Sequence, residues 1–153
     1  MCAVGASDTT GASFEPAWAD DLPTILDLLR RNELPQEGLS KHIQTTLVAR
    51  RGKRVVGSAA LELYGRSALL RSVAVEKSLR GRGIGSKLTE AALNLARERG
   101  VLTVYLLTET AMDFFRRFGF KLASRSRVPL AVKQSVEFAH ACPASARVMI
   151  LRL

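Results

Sequence analysis

Aromatic residues are scarce in this chain, at 6% of the total, and no run interleaves them with basic residues. Such interleaving stacks bases in single-strand grooves, so a nucleic-acid partner is not expected. Cysteine is scarcer still. Cys2 and Cys142 are the only two, too few for a disulfide framework, and a reducing cytoplasmic setting fits them best. No apolar run approaches the ~20 residues that cross a bilayer, so no membrane partner is expected either. The opening MCAVGASDTTGA lacks both the basic segment and the apolar stretch of a secretory leader. Residues 1–12 read as a flexible tail. Repeats and low-complexity linkers are absent, and 13–153 read as a single domain long enough to bury a real core.

Acidic residues are also in short supply. Twenty-three Lys and Arg stand against 14 Asp and Glu, a net charge of +9, which favours an anionic ligand. With stacking surfaces missing, a small polyphosphate held in a local cradle is the sharper reading of that charge. A solvated basic surface is the plain alternative.

Apolar spacing divides the chain. Residues 13–17 read as a short edge strand limited by Pro16. Leu22, Ile25, Leu26 and Leu29 recur at helical spacing, with Asp20 or Asp21 as cap and Pro23 in the first turn. Residues 39–46 read as a second helix. Strands over 46–50 and 54–64 are joined by Arg51-Gly52-Lys53, and Gly65-Arg66-Ser67 turns into a strand over 68–75, an antiparallel meander. Residues 85–99 carry Leu88, Ala91, Ala92, Leu95 and Ala96 on one helical face, and Gly100 closes that helix. The all-apolar 101–107 reads as a strand covered on both faces. The helix between it and 68–75 makes a right-handed crossover, which places the two strands parallel. A short helix over 110–118, a strand over 120–125, a helix over 129–140 and a final strand over 146–153 complete the chain. The fold class is α/β in the mixed α+β sense. Its sheet is mostly antiparallel with a parallel central pair, and helices lie on both faces.

The chemistry concentrates in LLRSVAVEKSLRGRGIGS, residues 69–86. Gly81, Gly83 and Gly85 let backbone approach a ligand, and a helix N-terminus presents N–H groups and partial positive charge to an anion. Arg80 and Arg82 add charge-assisted donors. A dinucleotide fingerprint fails, because the sixth position counted from Gly81 is Ser86. A Walker loop fails because Leu88 follows Lys87.

With Val73, Ala74 and Val75 before it, RGRGIG resembles the acyl-CoA signature of the GNAT N-acetyltransferases, Q/R-x-x-G-x-G/A, with Arg80, Gly83 and Gly85 at its defined positions. LLTET followed by AMDFFRRFGF is similar to the family's next segment. The resemblance implies a GNAT-like fold, acetyl-CoA as acyl donor, no metal, and direct transfer to the amine of a small molecule. It implies a pantetheine arm paired with Val73 and Val75 and a pyrophosphate held by Gly81, Arg82, Gly83, Ile84, Gly85 and Ser86. An N–H near Val73 would stabilise the oxyanion. No covalent enzyme intermediate is implied, so Cys2 and Cys142 are not nucleophile candidates. A homodimer is left open.

Two positions depart from the family pattern. Phe115 stands where many members carry a tyrosine that protonates the leaving thiolate, and Thr108 stands where many carry an asparagine. A thiol of pKa ~8.5 leaves without much help, so losing the acid costs about the low end of the usual 10²–10⁴-fold effect. An α-amine is roughly a tenth neutral at pH 7 and a lysine amine only about a few parts in ten thousand. A site without a strong base therefore favours an α-amino acceptor. Glu62, sharing a strand face with Ala60 and Tyr64, is the candidate base or water-positioning carboxylate, with a solvated surface glutamate as the alternative. Glu109 is a weaker second candidate, and Tyr105 reads as core.

Arg71 interrupts an apolar strand on the face of Leu69 and Val73, so a partner is required. A substrate carboxylate or oxyanion serves, and so does an internal salt bridge to Glu62. Within the family, the LLRSVAV…LLTETAMDFFRRFGF…VP arrangement and the tail ACPASARVM resemble acetyltransferases of arsenic-resistance operons, and the same skeleton also resembles the transferase domain of glutamate N-acetyltransferases. The latter typically carry a basic cluster before the last strand, where this chain has Ala144-Ser145-Ala146 and then Arg147. A non-catalytic acyl-CoA-binding sensor is the third reading.

Overall fold

The computed structural model describes residues 11–153. The expected tail lies outside the described residues over positions 1–10, and its last residue, Ala12, is buried against the core. Among the described residues, seven strands form one sheet: β1 (Ser13–Pro16), β2 (Thr46–Arg51), β3 (Arg54–Tyr64), β4 (Ser67–Val75), β5 (Thr103–Thr108), β6 (Lys121–Ala123) and β7 (Arg147–Arg152). Their order is β1-β2-β3-β4-β5-β7-β6. All neighbours are antiparallel except β4 and β5, which run parallel as the crossover rule predicts.

Helices cover both faces. The amphipathic α2 (Ile84–Glu98) buries Ile84, Leu88, Ala92, Leu93 and Ala96 against Val56, Leu61, Ala68 and Leu70, with Phe115 of the short α3 (Met112–Arg116) in the same cluster. On the opposite face, α1 (Leu22–Arg31) packs Ile25, Leu28 and Leu29 against Val48, Val55 and Ala60. Val132 of α4 (Leu130–Lys133) joins Leu69, Tyr105 and Val148 there.

Several elements are shorter than their apolar patterns imply. Residues 39–45 form 3-10 turns kinked at His42 rather than an α-helix. The expected helix over 129–140 breaks into α4 and a separate π-helical turn, Glu137–Ala141. The Asp21 carboxylate does not cap α1. It accepts from the Trp18 amide at 2.7 Å and pairs with both arms of Arg50. The Arg50 guanidinium holds the Asp21 carboxyl below the usual carboxylate range.

Gly57 sets how closely α2 lies on the sheet. A Cβ there would sit 2.8 Å from Leu88 Cδ1 and 3.2 Å from the Ala74 carbonyl oxygen. Overpacking of this kind costs about 1–3 kcal/mol. Gly57→Val is expected to lower stability by that amount in urea titration and to lift the N-terminus of α2, weakening whatever that terminus holds.

Candidate active site

β4 and β5 begin side by side and then part. Their pairing holds only Ser67 with Thr103, Ala68 with Val104 and Leu69 with Tyr105. Beyond that point β4 runs on to Val75 while β5 stays paired to β7 as far as Thr108. A bulge accompanies the parting. Ser72 has φ of 60°, and the register with β3 slips between Ser58 and Ala60. A non-glycine residue in this conformation costs about 1–2 kcal/mol, so other contacts must fix it. Ser58 Oγ donates to the Ser72 carbonyl at 2.7 Å, and Arg71 Nε donates to Ser72 Oγ at 3.0 Å.

The bulge reverses side-chain alternation. Leu69 faces Tyr105 and Val132, whereas Val73 packs with the α2 cluster. The expectation that Arg71 shares a face with both therefore holds for Leu69 and fails for Val73. The bulge also sets the backbone beyond it. The Glu76 amide donates to Val56 of β3 at 2.8 Å, so by alternation the amides of Val73 and Val75 face the open side.

A cleft of about 760 Å³ fills the wedge. Arg71, Ser72, Val73, Ala74 and Val75 form one wall, and Leu106, Leu107 and Thr108 form the other. At one end lie Arg80, Gly81, Gly83, Ile84, Gly85 and Ser86. Gly81 and Gly83 have φ of 79° and 88°, and a Cβ on either would meet nothing within 4 Å. Gly83 is the N-cap of α2, so the first-turn amides after it have no intrahelical acceptor. They point a cluster of donors and the helix dipole at the cleft. Arg80 reaches Asn32 Oδ1. Arg82 is exposed and does not line the cleft. A residue that sequence reading missed completes this end. Arg117 donates to Ser86 Oγ at 2.9 Å and lies 4.9 Å from the centroid of the Phe114 ring.

The other end is polar and buried. Arg71 is 2% exposed, and its Nη1 donates to Glu62 Oε2 at 2.9 Å. Its Nε lies 3.4 Å from Glu137 Oε2, and Nη2 donates to the Pro35 carbonyl at 3.2 Å. The internal pair with Glu62, one of the two partners weighed for Arg71, is thus formed. Glu62 is 1% exposed rather than solvated. It accepts from Tyr64 Oη, lies 3.5 Å from His42 Nε2, and sits beneath Arg71 without lining the cleft. Burial, with the Glu62 hydrogen bond, pushes the Tyr64 hydroxyl up, and burial pushes His42 down.

Glu137, which sequence reading did not single out, lines the cleft at 4% exposure. Burial pushes its carboxyl up to about 7, helped by the charge of Glu62 and opposed by Arg71. Burial and then Glu137 push the neighbouring Cys142 thiol up to about 12, so Cys142 is a poor nucleophile at neutral pH. Glu109 lies on the cleft wall, accepting from Ser145 Oγ at 2.9 Å. The Phe115 ring meets Phe114 and Phe120 edge-on and offers the cleft no proton.

The chain is similar to known proteins in sequence and in fold. The family model described as an acetyltransferase (GNAT) domain matches residues 42–122. An uncharacterized N-acetyltransferase of Chlorobaculum tepidum is 35% identical over 61% of this chain and 60% of its own length. An amino-acid acetyltransferase of Pseudomonas syringae pv. syringae is 33% identical over 72% of this chain, which spans only 26% of that relative. Among solved structures, a Mycobacterium tuberculosis protein in complex with CoA and NLQ superposes with a TM-score of 0.78 at 25% identity, covering 92% of this chain and 98% of that one.

Proposed function

The chain belongs to the GNAT acetyltransferase family, and from that premise we propose that it moves an acetyl group from acetyl-CoA directly to the α-amine of a small amino-acid-like acceptor. The observation that carries this reading is the wedge between β4 and β5, where an unpaired strand edge runs into a glycine-rich helix N-terminus within one cleft.

Acetyl-CoA supplies an activated acetyl group that a neutral amine attacks without an enzyme-bound intermediate. The chain does the positioning. Backbone groups of Val73 and Val75 pair with the amide-bearing arm as a further strand would. The amides of Gly81, Gly83, Ile84, Gly85 and Ser86 take the pyrophosphate, with Arg80 and Arg117 adding charge. The Val73 N–H, aimed into the cleft just past the bulge, is placed to steady the oxyanion.

The acceptor lies at the polar end. Arg71 and Glu62 act on it through position: their buried pair fixes the bulge and the floor of the pocket. The amino-acid acceptor is supported by the name of the P. syringae relative. An arsenic- or phosphorus-containing amino acid rests on the resemblance of LLRSVAV and ACPASARVM to the arsenic-resistance branch. A thiol-reactive dye reports CoA release from acetyl-CoA in the presence of glutamate, glutamine, methionine and an amino-acid arsenical. Release that requires an α-amine is expected. Tight acetyl-CoA binding with no release from any acceptor would leave only a sensor.

A further inference from the structure

Resting on the transfer reading above, we propose that Glu137 is the general base that deprotonates the acceptor amine. The placement comes first. Glu137 opens a one-turn π-helix, Glu137–Ala141, an irregularity found often at functional sites. The turn delivers its carboxylate to the cleft, 3.4 Å from Arg71 Nε, and Cys142, Pro143, Thr108 and Glu109 share the lining. That is the acceptor end, on the side of the bulge away from the glycine loop.

The charges around it favour the role. From β4, Arg71 faces both Glu62 and Glu137, one guanidinium between two carboxylates. Glu62 holds the shorter contact, 2.9 Å against 3.4 Å, and also receives the Tyr64 hydroxyl. From the end of the π-turn, the Cys142 thiol pulls the Glu137 carboxyl down, and from the loop after α1, the negative charge of Glu37 pushes it up. His42 stands behind Glu62. Glu137 is therefore the less supported of two buried carboxylates, and its proton affinity rises toward that of an α-amine. A base with pKa near the working pH is the efficient one.

The step balances. The acceptor enters as an ammonium ion and Glu137 takes one of its protons. The freed lone pair forms the C–N bond to the acetyl carbonyl carbon, and the C–S bond breaks with its electron pair left on sulfur. The second nitrogen proton passes to the thiolate, giving CoA thiol, and Glu137 returns its proton to solvent. Because the thiolate takes the nitrogen's own proton, the absence of a tyrosine at Phe115 does not stop turnover.

The test compares wild type with Glu137→Gln on acetyl-CoA and glutamate, glutamine or methionine. Wild-type kcat/KM is expected to fall on the acid side of an apparent pKa near 7. Glu137→Gln is expected to lower kcat about 10²–10⁴-fold and to abolish that acid limb, with acetyl-CoA affinity within about twofold of wild type in calorimetry. A second readout needs no acceptor. The fold raises the pKa of Glu137 above its unfolded value, so stability is full below the ordinary carboxylate range and declines as pH rises to about 7. Glu137→Gln is therefore expected to raise Tm at pH 8 and leave it unchanged at pH 4. A variant that keeps its acid limb and a kcat within about threefold of wild type would overturn the assignment. So would a raised KM for the amine with kcat intact, which marks ammonium binding alone. A wild type that turns over no acceptor would overturn the transfer reading, and this base with it.

Discussion

Arg71→Ala is expected to lower the free energy of unfolding by about 3–5 kcal/mol, the usual consequence of removing one partner from a buried ion pair. Total stabilities of single domains lie at about 5–15 kcal/mol, so this one change removes about a fifth or more. The size follows from what remains behind. Glu62 and Glu137 lose the cation between them, and both are almost wholly buried. The Ser72 bulge loses the Nε donor that steadies its strained backbone. Arg71→Lys is expected to recover part of the loss, because it restores charge without the fork that spans Glu62, Ser72 and Pro35. Combining Arg71→Ala with Glu137→Gln is expected to cost less than the sum of the two, since one orphaned carboxylate is gone. Urea titration at pH 7 measures all three. A loss below about 1 kcal/mol for Arg71→Ala would mean that the network does not hold the bulge.

Gly83→Asp is expected to weaken acetyl-CoA binding by about two orders of magnitude or more while the protein stays folded. Gly83 has φ of 88°, so any side chain brings strain of about 1–2 kcal/mol. The space around it is open, and an aspartate at the N-cap suits the helix dipole. The same carboxylate then occupies the approach of the pyrophosphate. Like charges set against each other cost several kcal/mol, and each 1.4 kcal/mol is about tenfold in affinity. Calorimetric titration beside a circular-dichroism melt separates the two effects. Unchanged affinity in a folded variant would count against the cradle.

What the sequence disclosed was periodic or local. The amphipathic spacing of α2, the alternation of β3 and the apolar run of β5 each follow one clear period, and the crossover between them dictates the parallel pair. The glycine loop was legible because cradle and helix start lie next to each other in the chain. The acceptor end was only half legible. Glu62 and Arg71 sit on adjacent strands, and pairing them needs only the register of a hairpin. Glu137 reaches Arg71 from a segment whose helical period fails, where Val128 and Val132 are drawn into the core and a π-turn follows. Nothing local in VKQSVEFAHACP marks that carboxylate as buried. The Ser72 bulge was hidden for a similar reason. Serine has no special preference for positive φ, and contacts from Ser58 and Arg71 impose it. Arg117 was one of several arginines, and only the fold sets it beside Ser86.

The central claim is that acetyl-CoA lies in the wedge between β4 and β5 with its pyrophosphate on the start of α2. Amide hydrogen exchange by NMR, with and without acetyl-CoA, tests that most directly. The amides of Val73, Val75, Ile84, Gly85 and Ser86 are predicted to become strongly protected on binding, while Lys121 and Leu122, which line a separate cavity beside β6 with Tyr105 and Arg152, stay unchanged. Protection confined to the β6 side, or none at the β4 edge, would contradict the account.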